Sequence, residues 1–145
     1  MAEILNRKAS FEYQLLDKYK AGIVLSGTEI KSIRAGKVNL GDAYCIFTVK
    51  GELVVRNMHI SEFSHGSHYN HKPIHDRKLL LNKTELRKLR NKTKEKGLTI
   101  IPIKVFFSET GFAKLEIAVA KGKKLYDKRE SLKEKEATRR INQDE

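Results

Sequence analysis

Thr99-Ile-Ile-Pro-Ile-Lys-Val-Phe-Phe-Ser-Glu-Thr-Gly-Phe-Ala-Lys-Leu-Glu-Ile-Ala-Val119 reads as a β-hairpin, and the fold class follows from it. Thr99, Ile101, Ile103, Val105 and Phe107 alternate onto one face across a run rich in β-branched residues. Ser108–Gly111 supplies the turn, and Ala113, Leu115, Ile117 and Val119 return with Lys114 and Glu116 outward. Pro102 cannot donate to a strand ladder, so it marks an edge position or a bulge. Further out, Cys45, Phe47 and Val49 alternate in the same way, Lys50-Gly51 turns the chain, and Glu52–Ile60 runs back. Phe11–Leu25 is a third extended stretch, broken at Gly22.

Helical signals are fewer. Asn82-Lys-Thr-Glu85 forms a capping box, in which the Asn and Glu side chains satisfy free N–H groups reciprocally. Leu86 and Leu89 follow on one face and Gly97 stops the helix. A second short helix begins at Thr28, turns Ile30 and Ile33 inward and ends at Gly36. Five or six strands with two short helices predict a β-barrel or a rolled α+β domain.

A chain of 145 residues has room for one core and a tail. Its 30 Lys+Arg against 18 Asp+Glu give a formal charge of +12, which points to a polyanionic partner. Nine basic and two acidic residues fall within Arg77–Lys96, so a phosphate-facing surface is expected there. Cys45 is the one cysteine, which excludes an internal disulfide and a CxxC zinc pair; beside Tyr44, Ile46 and Phe47 it reads as a buried thiol. The first ten residues lack the apolar stretch of a signal peptide, and no apolar run is long enough to span a bilayer. A cytoplasmic, monomeric protein is expected.

No GxSxG elbow, Walker loop or GxGxxG is present, and the carboxylates are scattered singly, so the chain reads as a binder rather than an enzyme. His59, His65, His68, His71 and His75 cluster in sequence, but their spacing matches no metal pattern such as HExxH, and Ser61–Pro73 has the composition of a loop. No metal and no cofactor are expected. From Lys121 onward the chain carries nine basic and six acidic residues with few large apolar groups, Leu125, Tyr126, Leu132 and Ile141. That stripe is too thin to hold a helix alone, so residues 123–145 are expected to be a basic tail, disordered by itself and helical against a partner.

Six blocks occur in order: Asn6-Arg-Lys-Ala9, Ala21-Gly22, Gly27-Thr-Glu-Ile-Lys-Ser-Ile-Arg-Ala-Gly-Lys-Val-Asn-Leu40, Arg77-Lys-Leu-Leu-Leu81, Glu95-Lys-Gly-Leu-Thr99 and Ala120-Lys-Gly-Lys-Lys-Leu-Tyr-Asp-Lys-Arg-Glu130. In order and spacing they resemble the bacterial SsrA-binding protein (small protein B) family, from about Asn6 to Arg140. The resemblance implies a mainly β fold: an oligonucleotide-binding-like closed antiparallel β-barrel of about six strands with two or three flanking helices. Residues 1–122 would be the RNA-binding body. It further implies an RNA-binding ribosome-rescue factor that binds the tRNA-like domain of transfer-messenger RNA and delivers it to stalled ribosomes for trans-translation. A generic oligonucleotide-binding module is the alternative.

Carried over residue by residue, the resemblance places Asn6, Lys8, Tyr13, Glu29, Lys31, Arg34, Lys37, Asn39, Leu80 and Lys114 at the RNA. Lys and Arg suit phosphates, Asn suits sugar or base edges, Tyr13 can stack, and Leu80 can pack on a splayed nucleotide. Tyr126, Asp127, Lys128 and Arg129 match the family's tail motif, which acts in the ribosomal decoding centre and the empty mRNA channel. Tyr126 stands where relatives often carry His, and Lys20 where they commonly carry Glu, so a role inferred for that carboxylate does not transfer.

Overall fold

Gly51 and Gly111 adopt φ of 83° and 88°, the left-handed conformation that the turns of the two indicated hairpins require. In the computed structural model, which describes residues 3–64 and 70–122, they sit in a chain of nine strands and three helices. In order these are β1 (Ile4–Leu5), α1 (Ala9–Glu12), β2 (Tyr13–Ile23), α2 (Gly27–Arg34), β3 (Val38–Asn39), β4 (Tyr44–Phe47) and β5 (Leu53–Arg56). They continue as β6 (His59–Ile60), β7 (Arg77–Leu80), α3 (Lys83–Thr93), β8 (Leu98–Phe107) and β9 (Ala113–Gly122).

Seven strands form one antiparallel sheet in the order β1-β8-β4-β5-β7-β2-β9, and β9 pairs in turn with β8. The short strands β3 and β6 pair apart from it. The inner face buries Ala21, Ile23, Leu53, Val55, Leu79, Ile100, Val105, Leu115, Ile117 and Val119 in one cluster, joined by Ile33 of α2 and Leu89 of α3. Each fully buried aliphatic side chain contributes about 1.5–3 kcal/mol, so the sheet interior dominates stability.

Alternation misplaces the first half of β8. The β8–β9 register shifts between Pro102 and Lys104, so one extra residue faces β9 there. Val105 and Phe107 reach the main core as expected, but before the bulge it is Leu98 and Ile100 that do so. Ile101 turns to a satellite cluster with Ala9 and Ala120 instead. Pro102 thus lies at a bulge, as its missing N–H indicates.

Three further expectations change. Phe11 ends in α1, and Gly22 does not break the extended stretch but lies inside β2. It is there because a Cβ at Gly22 would stand 3.2 Å from Leu80 Cβ on the neighbouring strand. Glu52–Ile60 is two strands, divided at Asn57, whose φ is 62°. Arg77, counted above with the surface charge, is 1% exposed.

α2 and α3 carry capping boxes. Asn82 Oδ1 accepts from Glu85 N at 2.8 Å, as the sequence indicates, and Glu85 Oε1 accepts from Asn82 N. Ser26 and Glu29 make the same exchange at the start of α2. Cys45 is buried, and burial pushes its thiol well above the usual range.

Candidate nucleic-acid interface

Antiparallel partners share a face, so the register alone assembles a stripe on the outside of the sheet. Gly22 of β2 stands opposite Leu80 of β7 on one side and Lys114 of β9 on the other, and Lys114 stands opposite Phe106 of β8. Along the adjacent rung lie Lys20, Glu116 and Lys104. The ammonium groups of Lys20 and Lys104 approach the Phe106 ring at 5.8 and 5.5 Å, and Lys104 Nζ lies 3.6 Å from Glu116 Oε2. Leu80 is 53% exposed on this face. The stripe therefore presents an aromatic ring and an aliphatic side chain among three lysines. Lys20, Lys104 and Phe106 were missed in the sequence, although counting outward positions in step with Lys114 finds Phe106 and Lys104 once the bulge is known.

Lys31, Arg34 and Lys37 are exposed on or just after α2. Their backbone is fixed by the helix and by Lys37 N donating to Ser32 O at 3.0 Å. Lys31 Nζ stands 5.3 Å from the Phe63 ring, and the Arg34 guanidinium 5.2 Å from Phe107, the residue after Phe106.

A third group gathers around α1. Asn6, Lys8, Tyr13, Glu12, Asp42 and Tyr44 line a cleft of about 360 Å³. Asn39 adjoins it: its Oδ1 accepts from Gly41 N at 2.8 Å, and a Cβ at Gly41 would touch both Asn39 Oδ1 and Lys8 Cδ. Asn6 has a structural duty here. Its Nδ2 donates to Leu40 O at 3.2 Å and Pro102 O at 2.9 Å, tying the loop after β3 to the β8 bulge. Its Oδ1 is buried without a partner.

Glu29 corrects the expectation of an RNA-facing carboxylate. Its side chain is 3% exposed and ion-pairs with Arg77 Nε through Oε2, while Oε1 accepts from Ser26 N at 2.9 Å. His75 Nε2 lies 3.1 Å from the same Oε2. Burial pushes the Glu29 carboxyl up, but the Ser26 N–H, the Arg77 guanidinium and His75 together outweigh burial and hold it below its ordinary value. With both oxygens engaged inside the protein, Glu29 positions α2 and has no face for a ligand.

Of the histidines, His65 and His68 lie outside the described residues. His71 donates from Nε2 to Ile60 O at 3.0 Å, and its Nδ1 meets Thr28 Oγ1 at 2.8 Å. The segment before β7 is thereby fastened to α2 through both His71 and His75. Among the described residues no three His, Cys, Asp or Glu side chains could hold a metal ion, and no helix is long and apolar enough to cross a membrane. Tyr126, Asp127, Lys128 and Arg129 also lie outside the described residues.

The sequence profile of the SmpB protein family matches residues 3–145. The chain is 59% identical over 139 residues to the SsrA-binding protein of Phocaeicola vulgatus, covering 96% of this chain and 92% of that one. It is equally similar, 59% over 138 residues, to the SsrA-binding protein of Cytophaga hutchinsonii, covering 95% and 90%. A chain of the solved structure described as "tmRNA-SmpB: a journey to the center of the bacterial ribosome" superimposes with a TM-score of 0.74 at 43% identity, over 91% of this chain and 95% of that one.

Proposed function

The chain belongs to the SmpB protein family, and on that premise we propose that it binds the tRNA-like domain of transfer-messenger RNA and delivers it to stalled ribosomes. The observation that carries this reading is the identity to SsrA-binding proteins, 59% over 96% of the chain. The RNA-binding body is residues 1–122, and the ladder β8-β4-β5-β7-β2-β9 with its return from β9 to β8 supports a closed oligonucleotide-binding-type barrel.

The RNA runs over the outer stripe and α2. Lys114, Lys20, Lys31, Arg34 and Lys37 meet phosphates, which fixes orientation and supplies salt-dependent affinity. Leu80 and Phe106 pack against an unstacked nucleotide, since tertiary RNA elbows offer splayed bases rather than a readable groove. Lys8, Tyr13 and the side-chain amide of Asn39 extend the contact to the α1 cleft. No group transfer is involved: the protein acts by binding, in the cytoplasm, as a rigid stand-in for part of a tRNA.

Tyr126, Asp127, Lys128 and Arg129 form a second functional element, entering the decoding centre and the mRNA channel. Replacing Asp127, Lys128 and Arg129 together by Ala tests the division. Affinity for the tRNA-like RNA should persist while peptide tagging on stalled ribosomes is abolished. Loss of RNA affinity in that variant would show that body and tail are not separate, and retained tagging would remove the tail from the mechanism.

A further inference from the structure

We propose that Glu116, the one carboxylate on the two rungs of the outer stripe, is a positioning residue for RNA binding. It holds Lys20 across β9 and beside Lys114, so that the two ammonium groups make a preset seat for one phosphate of the nucleotide packed on Leu80 and Phe106. This rests on the function proposed above, and it gives a role to a side chain whose charge by itself repels RNA.

The register brings three strands into line. Glu116 of β9 stands directly opposite Lys20 of β2 on one side and Lys104 of β8 on the other. Residues opposed in this way have Cβ atoms about 4.5–5.5 Å apart, so a carboxylate here attracts both lysines. Lys104 makes the ion pair: its Nζ lies 3.6 Å from Glu116 Oε2 and 3.5 Å from Glu3 Oε1. With two carboxylates on one ammonium, Lys104 is a strut that ties the chain before β1 to β9. On these two rungs the ion pairs are those of Lys104, and Lys20 and Lys114 keep their charge for a ligand.

Lys20 does not extend straight into water. β9 lies between β2 and β8, so at ~4.8 Å per strand the two are about 10 Å apart. Yet Lys20 Nζ lies 5.8 Å from the centroid of the Phe106 ring on β8. The side chain therefore lies across β9 and leans from its own rung to that of Lys114, the residue directly opposite Phe106. Lys104 Nζ stands 5.5 Å from the same ring. Two ammonium groups gathered on one phenyl ring repel each other, and at an exposed site the ring alone attracts them weakly. Glu116, with 13% of its side chain exposed, stands on the strand between them. Its charge offsets that of Lys104, and Lys20 stays folded over the sheet.

Two effects of Glu116 on RNA oppose each other. As a bare charge about 10 Å from a bound phosphate it weakens binding by about twofold, and by less in salt. As an anchor it orders the long Lys20 side chain before RNA arrives. Ordering such a side chain only on binding weakens affinity by roughly two- to tenfold. Preorganisation is the larger effect. Removing the carboxylate should therefore weaken RNA binding, although it makes the protein more positive by one charge.

The test measures affinity of the full chain for the isolated tRNA-like domain at several salt concentrations. Affinities are corrected for the folded fraction by urea titration, because a cross-strand pair of opposite charge also stabilises the sheet. Glu116→Gln should bind about fivefold more weakly than the parent, with a log–log salt slope shallower by ~0.7–0.9, one phosphate contact. Glu116→Asp, a second variant that keeps the charge, should bind more tightly than Gln despite being the more negative protein. In a Lys20→Met background, which keeps the aliphatic stem, Glu116→Gln should leave affinity unchanged or raise it by up to about twofold. Equal or tighter binding by Glu116→Gln in the parent background would overturn the proposal, as would Asp binding more weakly than Gln. The same loss with and without Lys20 would also overturn it and make Glu116 a residue of the sheet alone. Should the unmodified protein bind no tRNA-like domain at all, the underlying function fails instead, independently of Glu116.

Discussion

Arg77 and Glu29 form a closed ion pair beneath α2, with 0% and 3% of their side chains exposed. Every Arg77 donor is used: Nε on Glu29, Nη1 on Met58 O at 2.6 Å and His75 O at 3.4 Å, Nη2 on Pro73 O at 3.1 Å and Lys72 O at 3.4 Å. One guanidinium thus joins the first turn of α2 to the segment that leads into β7. The basic residues of α2 stand on this buried joint.

Removing one partner leaves the other charge buried without compensation, which costs about 3–5 kcal/mol. Arg77→Ala should therefore lower the urea midpoint strongly, more than any single exposed lysine substitution. Glu29→Gln keeps acceptor and shape and should cost less. Once corrected for the folded fraction, RNA affinity of the Gln variant should stay within about twofold of the parent, about 0.4 kcal/mol. A much larger loss in fully folded protein would return Glu29 to the RNA.

The same pair sets an acid limit. Glu29 titrates below its ordinary value in the folded protein, so its contribution is complete above the unfolded carboxylate pKa of about 4.3 and fades as pH falls toward the lower folded pKa. Asp76, held down by hydrogen bonds from Arg56, acts in the same direction from an exposed site. Stability measured by urea titration should decline as pH drops below the ordinary carboxylate range, and the decline should be flatter in Glu29→Gln. An identical slope in both proteins would contradict this assignment.

These features differ in how far the sequence exposes them. The hairpins and the α3 capping box follow from local rules of period and capping, and they are present. The placement of Ile100 and Ile101 was not legible because the bulge at Pro102 reverses the alternation, and one residue's slip exchanges the faces. Glu29 and Arg77 are 48 positions apart, so charge counting places Arg77, and the family resemblance Glu29, on the surface until the fold brings them together. The outer stripe was half legible, since Lys114 reads outward but its neighbours Leu80 and Lys20 depend on register across β2.

Gly22 keeps that stripe flat. Gly22→Ala places a methyl 3.2 Å from Leu80 Cβ, which must move. Leu80 Cβ is fixed by the β7 backbone, so relief takes a displacement of the strand by a few tenths of an ångström rather than a rotamer change, at about 1 kcal/mol. RNA affinity should nevertheless fall, as it should for Leu80→Ser. Lys114→Ala should weaken binding with a salt slope shallower by ~0.7–0.9, the signature of one phosphate contact. Gel-shift titrations at several salt concentrations measure all three.

Asn6 offers a contrast between structural and binding roles. Asn6→Ala removes the donor to two buried carbonyls, Leu40 O and Pro102 O, at about 1–3 kcal/mol for a buried group left unsatisfied. Asn6→Asp supplies acceptors where a donor is needed and should be worse than Ala. Thermal melts should rank the parent above Ala and Ala above Asp; equal midpoints would show that the two hydrogen bonds do not hold the bulge.

The central claim is a partner, and the most direct measurement is the identity of the RNA that copurifies with the tagged full chain from its native cells at moderate salt. Sequencing that RNA should return transfer-messenger RNA as the dominant species, lost when Leu80 and Lys114 are replaced. A broad mixture of cellular RNAs, with transfer-messenger RNA no more enriched than transfer RNA, would contradict the account and leave only a general nucleic-acid binder.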